Sequence, residues 1–192
     1  MTIPKADALD GFKVNGLPSA IASRAMSSFS PSIAYYAADV ASFFGSSSDA
    51  ILGGMTANSD FAVEPAQRDA WVIQIEVLKS ALVGIQGTVF LEFNVPRIGT
   101  RLDAVLISGP TIFAIEFKVG ERDFKRDDLN QVWDYALDLK NFHKGSHDAA
   151  IIPILVATSA LRSETVLPLP YADNVYPPVR CNSDGLRHLI WT

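Results

Sequence analysis

The sequence predicts an α/β domain, a small mixed β-sheet covered by helices. Three observations carry that prediction. Residues 88–119 contain three strand-like runs, TVFLEFNV, RLDAVLIS and TIFAIEFKV, joined by connections so short that they favour antiparallel neighbours. Helical periodicity precedes these runs and returns after them. A buried-type apolar run, AAIIPILVAT, follows the second helix, so strand, helix and strand make a crossover that lays this strand parallel to the third run.

The elements follow in order. Residues 1–30 are rich in Ser, Ala and Gly without a clear period, and an irregular N-terminal arm is expected there. Ser30-Pro31 is a helix-start signal, so SIAYYAADVASFF is expected to follow as a short amphipathic helix, with Tyr35, Tyr36, Phe43 and Phe44 as packing residues. SDAILGGMTANSDF suggests another short helix ending in a turn. In VEPAQRDAWVIQIEVLKSALVG, Pro65 suits the first turn and Gly84 lies just past the end. Trp71, Ile75, Leu78 and Leu82 make one apolar stripe on this helix. Pro96 to Gly99 separates the first two strand runs, and Ser108-Gly109-Pro110 the second and third, which gives a three-strand meander. Both faces of the second and third runs are largely apolar, so helices must cover both. DDLNQVWDYALDLKNFHKG is the second strong helix, with Gly145 as its stop. Residues 168–192 hold Pro168, Pro170, Pro177 and Pro178 and are expected to form an irregular tail.

Bulk properties exclude several classes. The chain has 192 residues, enough for one domain with a proper core. No apolar run approaches bilayer length, and the N-terminus lacks the apolar core of a secretory signal. A single cysteine, Cys181, rules out an internal disulfide framework. The expected location is cytoplasmic, with no membrane partner. The net charge of −5 argues against a protein that coats nucleic acid generally. The charge is uneven, however. Residues 97–126 hold six Lys/Arg (Arg97, Arg101, Lys118, Arg122, Lys125 and Arg126) against four Asp/Glu, while the flanking segments are acidic. This segment is the candidate nucleic-acid contact, through Arg97, Arg101, Arg122, Lys125 and Arg126, although a solvated charged loop would look the same.

Inside this segment lies RLDAVLISGPTIFAIEFK. It is the most strand-like stretch of the chain, yet it carries Asp103, Glu116 and Lys118, types that a core excludes unless they are paired or bind metal. Glu116 and Lys118 are two apart and project from one face of a strand, and register can bring Asp103 beside Glu116. Two carboxylates held close and partly buried repel each other. Lys118 offers one compensating charge, and a hard divalent cation, Mg²⁺ or Mn²⁺, offers two. A simple ion pair with Lys118 is the plain alternative.

The arrangement Asp103…Glu116-Phe117-Lys118 on consecutive strands between two helices resembles the PD-(D/E)XK nuclease superfamily. QVWDY in the following helix supplies Gln131 and Tyr135, four apart on one face, and resembles the Q-x3-Y motif of the RecB-like branch. Over about residues 33–185, the segments EPAQRDAW, FLEFNVPRIGTRLDAVL, IFAIEFKVGE and QVWDYALDLKNFHKGSH are similar to the N-terminal nuclease-like module of bacterial Schlafen-type DNA/RNA helicase proteins. The resemblance implies a restriction-endonuclease-like core over residues 31–167. It implies metal-dependent phosphodiester hydrolysis, with Asp103 and Glu116 as ligands of Mg²⁺ or Mn²⁺. Lys118 would orient or activate water or stabilise phosphate charge, and Gln131 and Tyr135 would support the site. It also implies a further acid from the helix before the sheet, for which Glu76 is the candidate and Glu64 the fallback. Two departures stand out. Pro96 is not adjacent to Asp103, and no G-x-x-x-x-G-K-[ST] loop is present, so ATP-driven activity is not carried over: the expectation is a stand-alone or truncated form, or a helicase or ATPase domain or chain as partner. The rival expectation is a catalytically silent nuclease-fold module that binds nucleic acid or docks a helicase.

Overall fold

The computed structural model describes residues 33–95 and 99–191. The expected arm at 1–30 and Arg97 lie outside the described residues. The elements are β1 (Ala34–Asp39), α1 (Val40–Gly45), α2 (Ser48–Asn58), α3 (Pro65–Ala81), β2 (Thr88–Asn94), β3 (Arg101–Ser108), β4 (Thr111–Lys118), α4 (Arg126–Phe142), β5 (Ala150–Ala157), β6 (Val179–Cys181) and α5 (Gly185–Ile190). They form one six-stranded mixed sheet in sequential order, β1 to β6. Strands β1 to β4 pair antiparallel, and β5 and β6 join parallel.

The sheet is wider than the four strands expected, and both additions have a physical reason. Residues 34–39 were expected to be helical, but Tyr35 is the buried residue of a strand that ends at Asp39. Asp39 then caps α1, accepting from Ser42 N–H at 2.8 Å. The alanines and tyrosines of β1 satisfy either period, and the vacant edge of β2 decides between them. Residues 168–192, expected to be irregular, supply β6 and α5. The strand is only three residues long, too short to announce itself among prolines.

Two clusters of buried side chains sit against the sheet. On one face α2, α3 and α5 place Met55, Trp71, Ile75, Leu78 and Leu186 against Leu91, Leu106, Ile115 and Ile154. On the other, α4 places Tyr135, Ala136 and Leu139 against Phe90, Val105, Ile112 and Ala114. Helix α3 begins with Pro65 at its first turn and α4 with Asp127 and Asp128, whose charges complement the positive end of the helix. Cys181 is fully buried on β6, where burial pushes its thiol up to about 12. Among the described residues no helix is long and apolar enough to cross a membrane.

Candidate active site

The site is built where the β3–β4 ladder comes apart. From the turn, pairing runs Ser108↔Thr111 to Ala104↔Ile115 and then stops. One step further, Asp103 faces Glu116. The Asp103 carboxylate takes over the role of a ladder acceptor, with Phe117 N–H donating to its Oδ2 at 2.7 Å. On β4, Ile112 and Ala114 pack on the α4 side, and strand alternation puts Glu116 and Lys118 on the same side.

Lys118 Nζ is the hub. It donates to Glu116 Oε1 at 3.1 Å and to Gln131 Oε1 at 3.0 Å, and it pairs with Asp128 Oδ1 at 3.4 Å. Gln131 Nε2 in turn donates to the Tyr135 hydroxyl at 2.8 Å. The i, i+4 spacing on α4 thus sets the amide so that its oxygen faces the ammonium. The structure therefore brings Asp103, Glu116, Lys118, Gln131 and Tyr135 into one connected array. Asp128 joins them unannounced, because an acid in a first helical turn reads as a dipole partner.

The electrostatics are those of a site under compression. Burial raises the Asp103 pKa well above the usual carboxylate range, and the Glu116 and Glu92 charges push it further. Burial also raises Glu116, with Lys118 offsetting part of the effect. Burial alone would depress the Lys118 ammonium, but the Glu116, Asp128 and Asp103 carboxylates outweigh it and hold it above the ordinary lysine range. Glu116 is 5% exposed, and its Oε2 is buried without a hydrogen-bond partner in the described structure. An orphaned carboxylate oxygen beside a second carboxylate is costly, and it fits a hard cation better than it fits an ion pair already made through Oε1.

A third carboxylate, absent from the residues the sequence pattern singles out, belongs to this region. Leu91↔Ala104 and Phe93↔Leu102 bracket Glu92, which therefore stands across from Asp103. Glu92 is 7% exposed and adopts a left-handed φ of 53°. Such a conformation costs a non-glycine residue about 1–3 kcal/mol. The side-chain alternation of both strands shifts phase here. Leu91 and Ala104 belong to the α3-side cluster, whereas Phe93 and Leu102 belong to the α4-side cluster. A strand pattern assumes unbroken alternation, so sequence reading has no signal for this residue. Among the described residues, no group of three or more His, Cys, Asp or Glu lies close enough to hold a metal ion directly. A site here would rest on two carboxylates, Asp103 and Glu116.

Other expected residues lie elsewhere. Glu76 is exposed on the outer side of α3, where it accepts from the Ser48 hydroxyl of α2, so it does not join the cluster. The helix turns its apolar stripe to the sheet, and Glu76 sits outside that stripe. Glu64, the fallback, is exposed at the N-cap of α3. Arg101 is committed to structure: it donates to the Glu92 carbonyl at 3.0 Å, pairs with Asp60, and lies 4.0 Å over the Tyr35 ring. Lys125 pairs with Glu121 at 3.0 Å. Arg122 and Arg126 are exposed beside Asp123 and Asp127, so the entrance to α4 is mixed in charge. A cleft of about 340 Å³, lined by Thr100, Asp127, Asn130, Gln131, Asp134 and Tyr135, touches the outer side of the glutamine–tyrosine pair but neither Asp103 nor Glu116. Comparison of the chain with family models, with curated proteins and with solved structures finds no match.

Proposed function

We propose that this domain is a metal-dependent nuclease of the PD-(D/E)XK type, cytoplasmic, which hydrolyses phosphodiester bonds in DNA or RNA. The observation that carries the reading is the partnerless, buried Glu116 Oε2 beside Asp103. The hard-oxygen donor set fits Mg²⁺ or Mn²⁺, with Asp103 and Glu116 as the residues that would hold it. When bound, such an ion supplies Lewis-acid polarisation of a phosphoryl oxygen and a more acidic water.

The rest is the work of the chain. Lys118 is held charged by its three acceptors, so it acts as a fixed ammonium. It is suited to donate to phosphate oxygens as negative charge grows on them, not to remove a proton. Gln131 sets the direction of that ammonium, and Tyr135 sets the direction of Gln131. Water adds to phosphorus as the ester P–O bond breaks, which leaves a phosphate end and a hydroxyl end. A helicase or ATPase domain or chain would supply any motor function.

The test is cleavage of single-stranded DNA, double-stranded DNA and RNA with Mg²⁺ or Mn²⁺, comparing wild type with Asp103→Asn. Ion-dependent cutting by wild type alone is the expected result. Identical traces from both proteins, with no ion binding, would leave the silent nucleic-acid-binding module as the reading. The ion pairs that Lys118 makes with Glu116 and Asp128, which compensate the carboxylates without a metal, are the feature that favours that second reading.

A further inference from the structure

Glu92 has no task in the mechanism above, yet the fold holds it at three points. Its side chain accepts from Trp71 Nε1 through Oε1 at 2.6 Å. Its carbonyl accepts from Arg101 at 3.0 Å. Its backbone is left-handed without being glycine. Backbone strain persists only where the surroundings over-determine it, and it concentrates at functional sites.

The Trp71 hydrogen bond does not by itself explain a carboxylate. The indole N–H needs an acceptor when buried, and an amide oxygen would serve without charge. A carboxylate at this position instead adds a third negative charge, standing across from Asp103 in the β2–β3 register. That charge is useful if a cation comes to the row. Direct ligation by all three is not what the geometry offers. Mg²⁺ commonly keeps several waters and takes only one or two carboxylates directly. Hydrogen-bonded outer groups then orient the ligands and tune the affinity.

We propose that Glu92 is an outer carboxylate of the divalent-ion centre held by Asp103 and Glu116, reaching the ion through its hydration water, and that Trp71 is the positioning residue that aims it. The proposal rests on the divalent-ion reading of that centre. It makes the α3–β2 contact part of the site, in place of the outward-facing Glu76.

The test is Mn²⁺ affinity of the full chain, followed by the EPR signal of free Mn²⁺, for wild type, Glu92→Gln, Trp71→Phe and Asp103→Asn. Glu92→Gln keeps an acceptor for Trp71 and is expected to weaken binding about 10–100-fold. Trp71→Phe keeps the charge but frees it, and is expected to lose about tenfold. Binding by Glu92→Gln within about twofold of wild type would overturn the proposal while leaving the centre itself intact. A wild type that binds no Mn²⁺ and shows no ion-dependent cleavage would instead overturn the underlying reading. A second measurement does not depend on how Glu92→Gln folds. The chain has three tryptophans, so Trp133→Phe/Trp191→Phe leaves Trp71 alone as sensitiser. Tb³⁺ bound to this variant should luminesce on tryptophan excitation, and that emission should fall when Mn²⁺ competes. Bound but dark Tb³⁺ would place the ion away from Trp71 and overturn the proposal.

Discussion

The β3–β4 hairpin has a closed half and an open end, and the two obey different rules. In the closed half, Ala104, Val105 and Leu106 pair in register with Ile115, Ala114 and Phe113, and all are buried apolar groups. At the open end, the ladder ends and a carboxylate stands in for a backbone acceptor. Glu116 and Lys118 take positions where apolar side chains would pack. The closed half contributes stability through burial and paired backbone groups. The open end gives part of it back, in desolvated charge at Asp103 and Glu116 and in strain at Glu92. One pair of strands therefore holds both a scaffold and a site, and the boundary between them is one residue wide.

That boundary can be broken from either side. The largest effect is expected from Asp103→Asn. On the proposed metal-dependent reading, losing this ligand should lower cleavage about 10²–10⁴-fold, measured as initial rate on a labelled oligonucleotide. The same change should stabilise the ion-free fold at neutral pH. Asp103 has a folded pKa raised above its unfolded value, so the native state binds the extra proton. Its contribution to stability is present at acidic pH and is lost as pH rises from the unfolded value through the raised native one. Urea titrations should therefore show wild type falling below Asp103→Asn across that window and meeting it below about pH 4.

Leu106→Ala attacks the other half. Leu106 is fully buried, and truncation should cost about 2–5 kcal/mol in a urea or thermal unfolding curve. Cleavage per folded molecule should stay the same. If cleavage by the folded fraction falls with stability, the two halves are not separable. Gln131→Ala should have a smaller effect, about 10–100-fold on rate, because Lys118 loses one of its three acceptors but stays paired with Glu116 and Asp128. Stability should change little, since Gln131 is only half-buried. Glu76→Ala should have the smallest effect. Stability should shift by no more than about 0.5 kcal/mol, and neither Mn²⁺ affinity nor cleavage should move. A loss of ion affinity there would return Glu76 to the centre.

The scaffold was largely legible in the residues, and the reason is periodicity. Trp71, Ile75 and Leu78 announce α3, and the apolar runs around Asp103 and Glu116 announce β3 and β4. Gly84, with φ of 82°, ends the region after α3 as its position suggested. The neighbours of Lys118 were legible in part, because Gln131 and Tyr135 share a helical face whatever the tertiary structure does. Glu92 was not, because its place depends on register and on a phase shift that no pattern records. Asp128 was not, because two different jobs, helix dipole and ion pair, call for the same residue. Tyr35 lies on β1 and not on the expected helix because a strand edge, not local preference, selects its conformation.

Cys181 offers a consequence of a different kind. The transverse row that carries Asp103 and Glu116 continues through Leu155 to Arg180, the residue next to this cysteine. A thiol reacts as its thiolate, and here burial suppresses both ionisation and access. Both restraints lift together when β6 leaves the sheet. The chain thus carries its own chemical stopwatch. The rate at which a thiol reagent captures Cys181 times the opening of the sheet edge, and any slowing when ions are added would report, from three strands away, how firmly the row is held shut.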